Sequence, residues 1–189
     1  MITKKYLKIS GIFGILSPII AFIFISLAIL NFPNFSWTNN ALSDLGVKGY
    51  PILFNAGLII AGISGLIFAF GLFSMFQNKT GKIGALIFII DIFALIFVGI
   101  FPENIEPMHF YSSFTFFALF PISMFFISAS LRSNTKESIF TFLAGMIVLV
   151  VWITYVLTHF VQNVAIPETI SVFSISIWSI VFGYKMLKK

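Results

Sequence analysis

Six runs of apolar residues, each long enough to cross a bilayer as a helix, constrain this chain more than any motif in it. About 17–25 predominantly apolar residues span roughly 30 Å of hydrocarbon at the helical rise. Such runs extend from Ile9 to Leu30, Pro51 to Phe76, Gly81 to Phe101, His109 to Ser130, Ile139 to Phe160 and Glu168 to Met186. A membrane β-barrel would alternate apolar and polar residues over segments of about 10, whereas these runs are apolar on both parities. A soluble domain carries about 25% charged residues. Here only 9% are charged and 59% are hydrophobic, so 11 Lys+Arg and 6 Asp+Glu cannot coat a globule of 189 residues. The same figures exclude disorder, and the absence of cysteine excludes disulfides, thiolate metal sites and cysteine nucleophiles. The expected fold is all-α: a polytopic membrane protein in which residues 1–189 form one six-helix transmembrane domain.

Lys and Arg in short loops are retained on the cytoplasmic side of a membrane. Lys4, Lys5 and Lys8, then Lys79 and Lys82, then Arg132 and Lys136, then Lys185, Lys188 and Lys189 all fall on one side of the bundle, and Lys48 alone of the 11 basic residues falls on the other. Both termini are therefore expected to be cytoplasmic, with loops one, three and five facing out of the cell membrane. Topology accounts for the net charge of +5 without any nucleic-acid partner. The opening apolar run exceeds the 7–15 residues of a signal-peptide core and lacks a small-residue cleavage site, so it is expected to remain as the first span.

Helices in lipid associate where small residues let backbones approach. Gly57, Ala61, Gly65 and Ala69 recur at intervals of four on the second span and are expected to pack within the bundle, with a homo-oligomer seam as the alternative. Pro18 and Pro121 remove backbone donors inside the first and fourth spans, and the neighbouring Ser17 and Ser123 are expected to compensate the freed groups. The 26 phenylalanines are expected to face lipid or fill the bundle.

Ionisable residues within a membrane are costly and so carry the most information. Placed by topology, His109, Ser112, Ser113 and Thr115 open the fourth span, Tyr155, Thr158 and His159 close the fifth, Glu168 and Ser171 open the sixth, and Asn55 lies near the outer start of the second. Loop one adds Asp44, and loop three adds Glu103 and Glu106. In loop one, Asn39 to Gly46 has a capping residue at one end and glycine at the other, and reads as one or two turns of interfacial helix anchored by Trp37. The expected site is an outward polar pocket between spans four, five and six, lidded by loop one, with Asp44, Asn55, Glu106, His109, Tyr155, His159 and Glu168 as its candidate residues. The competing reading is ordinary interfacial polarity. Asp91, mid-span, has no basic partner at its depth. It is expected either as a neutral acid bonded to Ser64 or Ser123, or as a proton relay.

Three functions fit this outer cluster. The first is a binding protein whose pocket takes a membrane lipid headgroup, a quinone or a partner subunit's side chain. The second is a metal-dependent hydrolase of a lipid-like substrate, with His109, His159 and one of Asp44, Glu106 or Glu168 holding a divalent metal. Glu106 and His109 have the Glu-x-x-His spacing, although Pro107 between them marks where the helix begins. The third is a haem ligated by His109 and His159. Neither metal nor haem is favoured. Ser112 or Ser113 also permits an acyl-transfer constellation, but serines are too abundant for that pattern to carry specificity.

Gly11 and Pro18, the Leu42-Ser43-Asp44-Leu45-Gly46 turn, Pro51 with Asn55-Ala56-Gly57, Phe101-Pro102 followed by His109, and Pro167-Glu168 leading to Trp178 occur in an order that resembles a family of archaeal and bacterial membrane proteins known as domain of unknown function 998. The resemblance covers nearly the whole chain and implies a six-helix integral membrane fold, without supplying an activity. Thr169 stands beside Glu168 where the resemblance leads one to expect arginine, so it does not imply a charge pair there.

Overall fold

The computed structural model describes residues 4–189, and among these no strand occurs. Six helices run α1 (Lys4–Leu30), α2 (Pro51–Met75), α3 (Lys79–Ile100), α4 (Met108–Ser130), α5 (Thr135–Thr158) and α6 (Ala165–Leu187), with one 3-10 turn over Ser43–Gly46 between α1 and α2. All six are long and apolar enough to cross a membrane. Their ends follow local chemistry rather than the apolar limits. Asn78 caps α3 by accepting the Gly81 N–H at 2.7 Å, Asn134 caps α5 by accepting from Glu137 at 3.4 Å, and Pro51 opens α2 where no backbone donor is needed. The helices thus extend past the hydrophobic runs, most clearly at the start of α1 and α5.

Each helix packs on its neighbours in sequence, and α6 returns to α1 to close a ring. At that closure Gly11 and Gly183 bring two backbones into contact: a Cβ added at either would lie 2.5 or 2.6 Å from the other's carbonyl oxygen. The first turns of α1 therefore lie beside the last of α6, at one end of the bundle. Loops one, three and five occupy the opposite, distal end. The α2 stripe packs inside the bundle as expected. Gly57 admits the Phe24 side chain of α1, while Ala61 and Ala69 are fully buried. The two proline-adjacent serines depart from expectation. Ser17 donates to the Ala61 carbonyl and Ser123 to the Gly84 carbonyl, each at 2.8 Å, so both hydroxyls tie helices together instead of repairing their own. A carbonyl on an adjacent helix has a second lone pair that a serine hydroxyl can use.

Trp178 of α6 occupies the centre of the ring, with no exposure. Its ring lies 6.0 Å from Phe68, 5.3 Å from Phe88, 6.1 Å from Phe120 and 4.7 Å from Phe182, and its Nε1–H donates to Thr141 Oγ1 at 3.2 Å. The indole thereby joins five helices through aromatic contacts and one satisfied polar group. α5 is held most lightly. Its buried residues are Thr141, Ala144, Gly145 and Val148, and none lies in its last ten residues. Among the described residues, its uppermost hydrogen bond to another helix runs from Trp152 Nε1 to Ser171 Oγ at 3.1 Å.

Candidate functional site

Loop one is sewn to the bundle by side chains that take its backbone groups. Asp44 Oδ2 accepts from the Asn40 amide at 2.5 Å and from the Ala41 N–H at 3.2 Å, while Oδ1 accepts from Lys48 Nζ at 2.7 Å. Glu168 Oε2 accepts from the Leu42 N–H at 2.6 Å. The Asn163 and Ala165 N–H groups donate to the Thr38 and Asn40 carbonyls at 3.1 and 3.0 Å. From below, Asn55 Nδ2 donates to the Gly46 carbonyl at 2.9 Å. These bonds explain why the expected interfacial helix shrinks to a single 3-10 turn, since side-chain acceptors compete with the helical ladder. Trp37 stays at the loop surface, 45% exposed, edge-on to Phe35 at 5.1 Å.

Beneath this loop a cavity of about 1080 Å³ lies between α4 and α5. Its ceiling is polar: Ser43 from loop one, Glu103 and Glu106 from loop three, His109 of α4, Asn163 of loop five and Glu168 of α6. Its walls are apolar, with Phe114, Phe117 and Phe125 from α4 facing Phe142, Leu149 and Ile153 from α5. Between His109 and Phe125 the helix rises about 24 Å. The space is therefore a long groove with a polar, acidic head, and no Lys or Arg lines it among the described residues.

The two histidines differ in surroundings. His109 is buried, with Nδ1 2.8 Å from the Phe101 carbonyl and Nε2 3.2 Å from Ser113 Oγ. A carbonyl only accepts, so Nδ1 carries the proton of the neutral ring and Nε2 accepts from the serine. His159 is exposed, ends α5 in the left-handed region with φ 47°, and rests its ring 5.7 Å from Tyr155. Neither His159 nor Tyr155 lines the groove. Among the described residues no three His, Asp or Glu side chains are grouped to hold a metal. The three-ligand metal set expected from His109, His159 and a carboxylate is therefore not assembled among the described residues, His159 lying outside the groove that His109 lines.

Of the remaining candidates, Glu106, His109 and Glu168 reach the groove, whereas Asp44 and Asn55 act on loop one. Glu103 matters more than its place in a loop suggested. Burial, followed by the charge of Asp44 and a hydrogen bond with it, pushes its carboxyl above the usual value, against the pull of Lys48. Burial also raises Asp44, but hydrogen bonds from Lys48 and Asn40 outweigh it and hold that carboxyl below the ordinary value. Asp91 is fully buried in α3, and among the described residues neither of its oxygens has a hydrogen-bond partner. The bond expected from Ser64 or Ser123 is absent because those hydroxyls donate to the Ile60 and Gly84 carbonyls.

A family model described as protein of unknown function (DUF998) matches residues 15–185. No curated protein and no solved structure matches the chain.

Proposed function

The chain belongs to the DUF998 family, and from that premise we propose that it binds a long-chain, lipid-like molecule in the groove between α4 and α5, its headgroup under loop one and its chain along the phenylalanine wall. One observation carries this reading: a single space is continuous from three carboxyl groups to the apolar faces of α4 and α5. Carboxylates without a lining cation repel phosphate and accept from hydroxyl or amine groups, so the occupant carries a donor-rich, uncharged or cationic head. A quinone fits less well, since its carbonyls need donors and His109 turns its one N–H to Phe101. The distal end faces outward and both termini lie in the cytoplasm of a cell-membrane protein, in keeping with the bias of basic residues to the terminal end.

Photo-cross-linking in lipid nanodiscs tests the reading. Analogues sharing one long alkyl chain and bearing a hydroxyl, amine or phosphate head would be compared by mass spectrometry. Adducts on the α4 and α5 walls with the first two analogues, much reduced with phosphate and in Ala118→Trp, which fills the groove midway, support the proposal. Equal labelling by all three heads, or labelling indifferent to the tryptophan, overturns it. A second protein subunit seated in the groove would show instead as a stable complex that excludes every analogue.

A further inference from the structure

We propose that Ser113 is a nucleophile and His109 its general base, acting on an ester-linked lipid held in the groove; this rests on the groove being a lipid site. A serine hydroxyl becomes reactive when an adjacent base accepts its proton and a third group orients that base. Here the Ser113 hydroxyl meets His109 Nε2 at 3.2 Å, and the Phe101 carbonyl fixes the other nitrogen as the N–H tautomer at 2.8 Å. Both side chains line the groove at its polar head.

The neighbouring serines show what is unusual about this one. A helical serine ordinarily donates to the carbonyl four residues back, as Ser112 does to Met108 and Ser171 to Pro167, each at 2.8 Å. Ser123 and Ser174 donate to carbonyls of adjacent helices. Ser113 instead points at the imidazole four residues back. The specificity that serine abundance denies to the sequence is supplied by this geometry.

In the first step Oγ of Ser113 bonds to the ester carbonyl carbon while its proton passes to His109 Nε2. The carbon–alkoxide bond then breaks, and the departing alkoxide takes that proton, leaving as an alcohol. Water from the distal face repeats the sequence on the acyl-serine: its oxygen bonds to the carbonyl carbon, the carbon–Oγ bond breaks, and His109 returns the proton to Ser113. The products are an alcohol and a free carboxylic acid, with no redox change.

The test is a long-alkyl fluorophosphonate applied to the protein in nanodiscs, with the adduct located by mass spectrometry. The expected result is modification of Ser113 in the unaltered protein, abolished in Ser113→Ala and slowed by about 100-fold or more in His109→Gln, with a short-chain fluorophosphonate reacting far more slowly. No adduct, or an adduct on another serine, in protein whose groove still cross-links the long-chain alcohol overturns the dyad and leaves the groove standing. Loss of both signals overturns the groove reading as well.

Discussion

Glu168 and Leu42, 126 positions apart in the chain, are joined by a 2.6 Å hydrogen bond from the Leu42 N–H to the Glu168 carboxyl. The bond fastens the loop above the groove to the first turn of α6. It also gives a buried acid a defined acceptor role.

Removing that acceptor should release loop one without unfolding the bundle. A buried N–H left unsatisfied costs about 1–3 kcal/mol, so Glu168→Ala should increase loop opening by roughly tenfold to a hundredfold. Limited trypsin digestion reads this at Lys48, the basic residue of the loop. Glu168→Gln keeps a carbonyl oxygen in place and should cleave at a rate close to that of the unaltered protein. Equal rates for Ala and Gln would show that the clamp lies elsewhere.

Asp44 and Glu103 impose opposite pH responses on the same loop. The Asp44 bonds are in force above its ordinary value of 3.8 and are lost as pH falls through its lower folded value, which Lys48 and Asn40 set against the effect of burial. Glu103, raised from 4.5 by burial and by Asp44, behaves in reverse: its cost is absent below 4.5 and grows as pH rises through the raised folded value. Hydrogen exchange over residues 40–46, corrected for intrinsic rates, should be slowest between these limits and faster on both sides. Glu103→Gln should abolish only the alkaline rise. Persistence of that rise in the variant would remove Glu103 as its source.

The six spans were legible because hydrocarbon thickness imposes a length that few soluble helices meet, and the gathering of Asp44, Glu103, His109 and Glu168 at one end followed from counting spans. The clamp was not legible, since the partners of Glu168 and Asp44 include backbone N–H groups, which every residue carries. The Ser113–His109 spacing of four was visible, but its orienting group is the carbonyl of Phe101, which has no sequence signature. The groove was hidden for a different reason. In an apolar helix Phe114 and Phe125, which line it, are chemically indistinguishable from residues facing lipid, so periodicity does not separate the two surfaces.

Trp178 should be the costliest single side chain to truncate. Trp178→Ala empties the space between Phe68, Phe88, Phe120 and Phe182 and should cost about 3–5 kcal/mol. Trp178→Phe retains a ring and loses the bond to Thr141, a smaller loss of about 1 kcal/mol. Unfolding titrations in mixed micelles would rank the two. Equal losses would mean that the hydrogen bond, not ring volume, holds the centre.

Close approach of α1 and α6 depends on Gly11, where a Cβ would meet the Gly183 carbonyl oxygen at 2.5 Å. Backbone cannot swing aside as a side chain can, so Gly11→Val should cost at least the 1–3 kcal/mol or so typical of overpacking. At Gly65 the nearest atoms are an Ile92 methyl at 3.2 Å and Ser17 Oγ at 3.3 Å, both on side chains. Gly65→Ala should therefore be tolerated with a much smaller shift in the same titration. Comparable losses at the two sites would indicate that the α1–α6 seam yields.

The orientation of the bundle decides which compartment supplies the groove's polar head. The chain contains no cysteine, so a single introduced thiol reports its side without background. Asn104 is exposed in loop three at the distal end, and Ser133 is exposed at the opposite end between α4 and α5. A membrane-impermeant maleimide should label Asn104→Cys in intact cells and Ser133→Cys only after permeabilisation, as expected where Lys and Arg concentrate at the terminal end. The reverse pattern would place Glu103, His109 and Ser113 on the cytoplasmic side. Any lipid drawn into the groove would then come from the inner leaflet, and the water for acyl-serine hydrolysis from the cytoplasm.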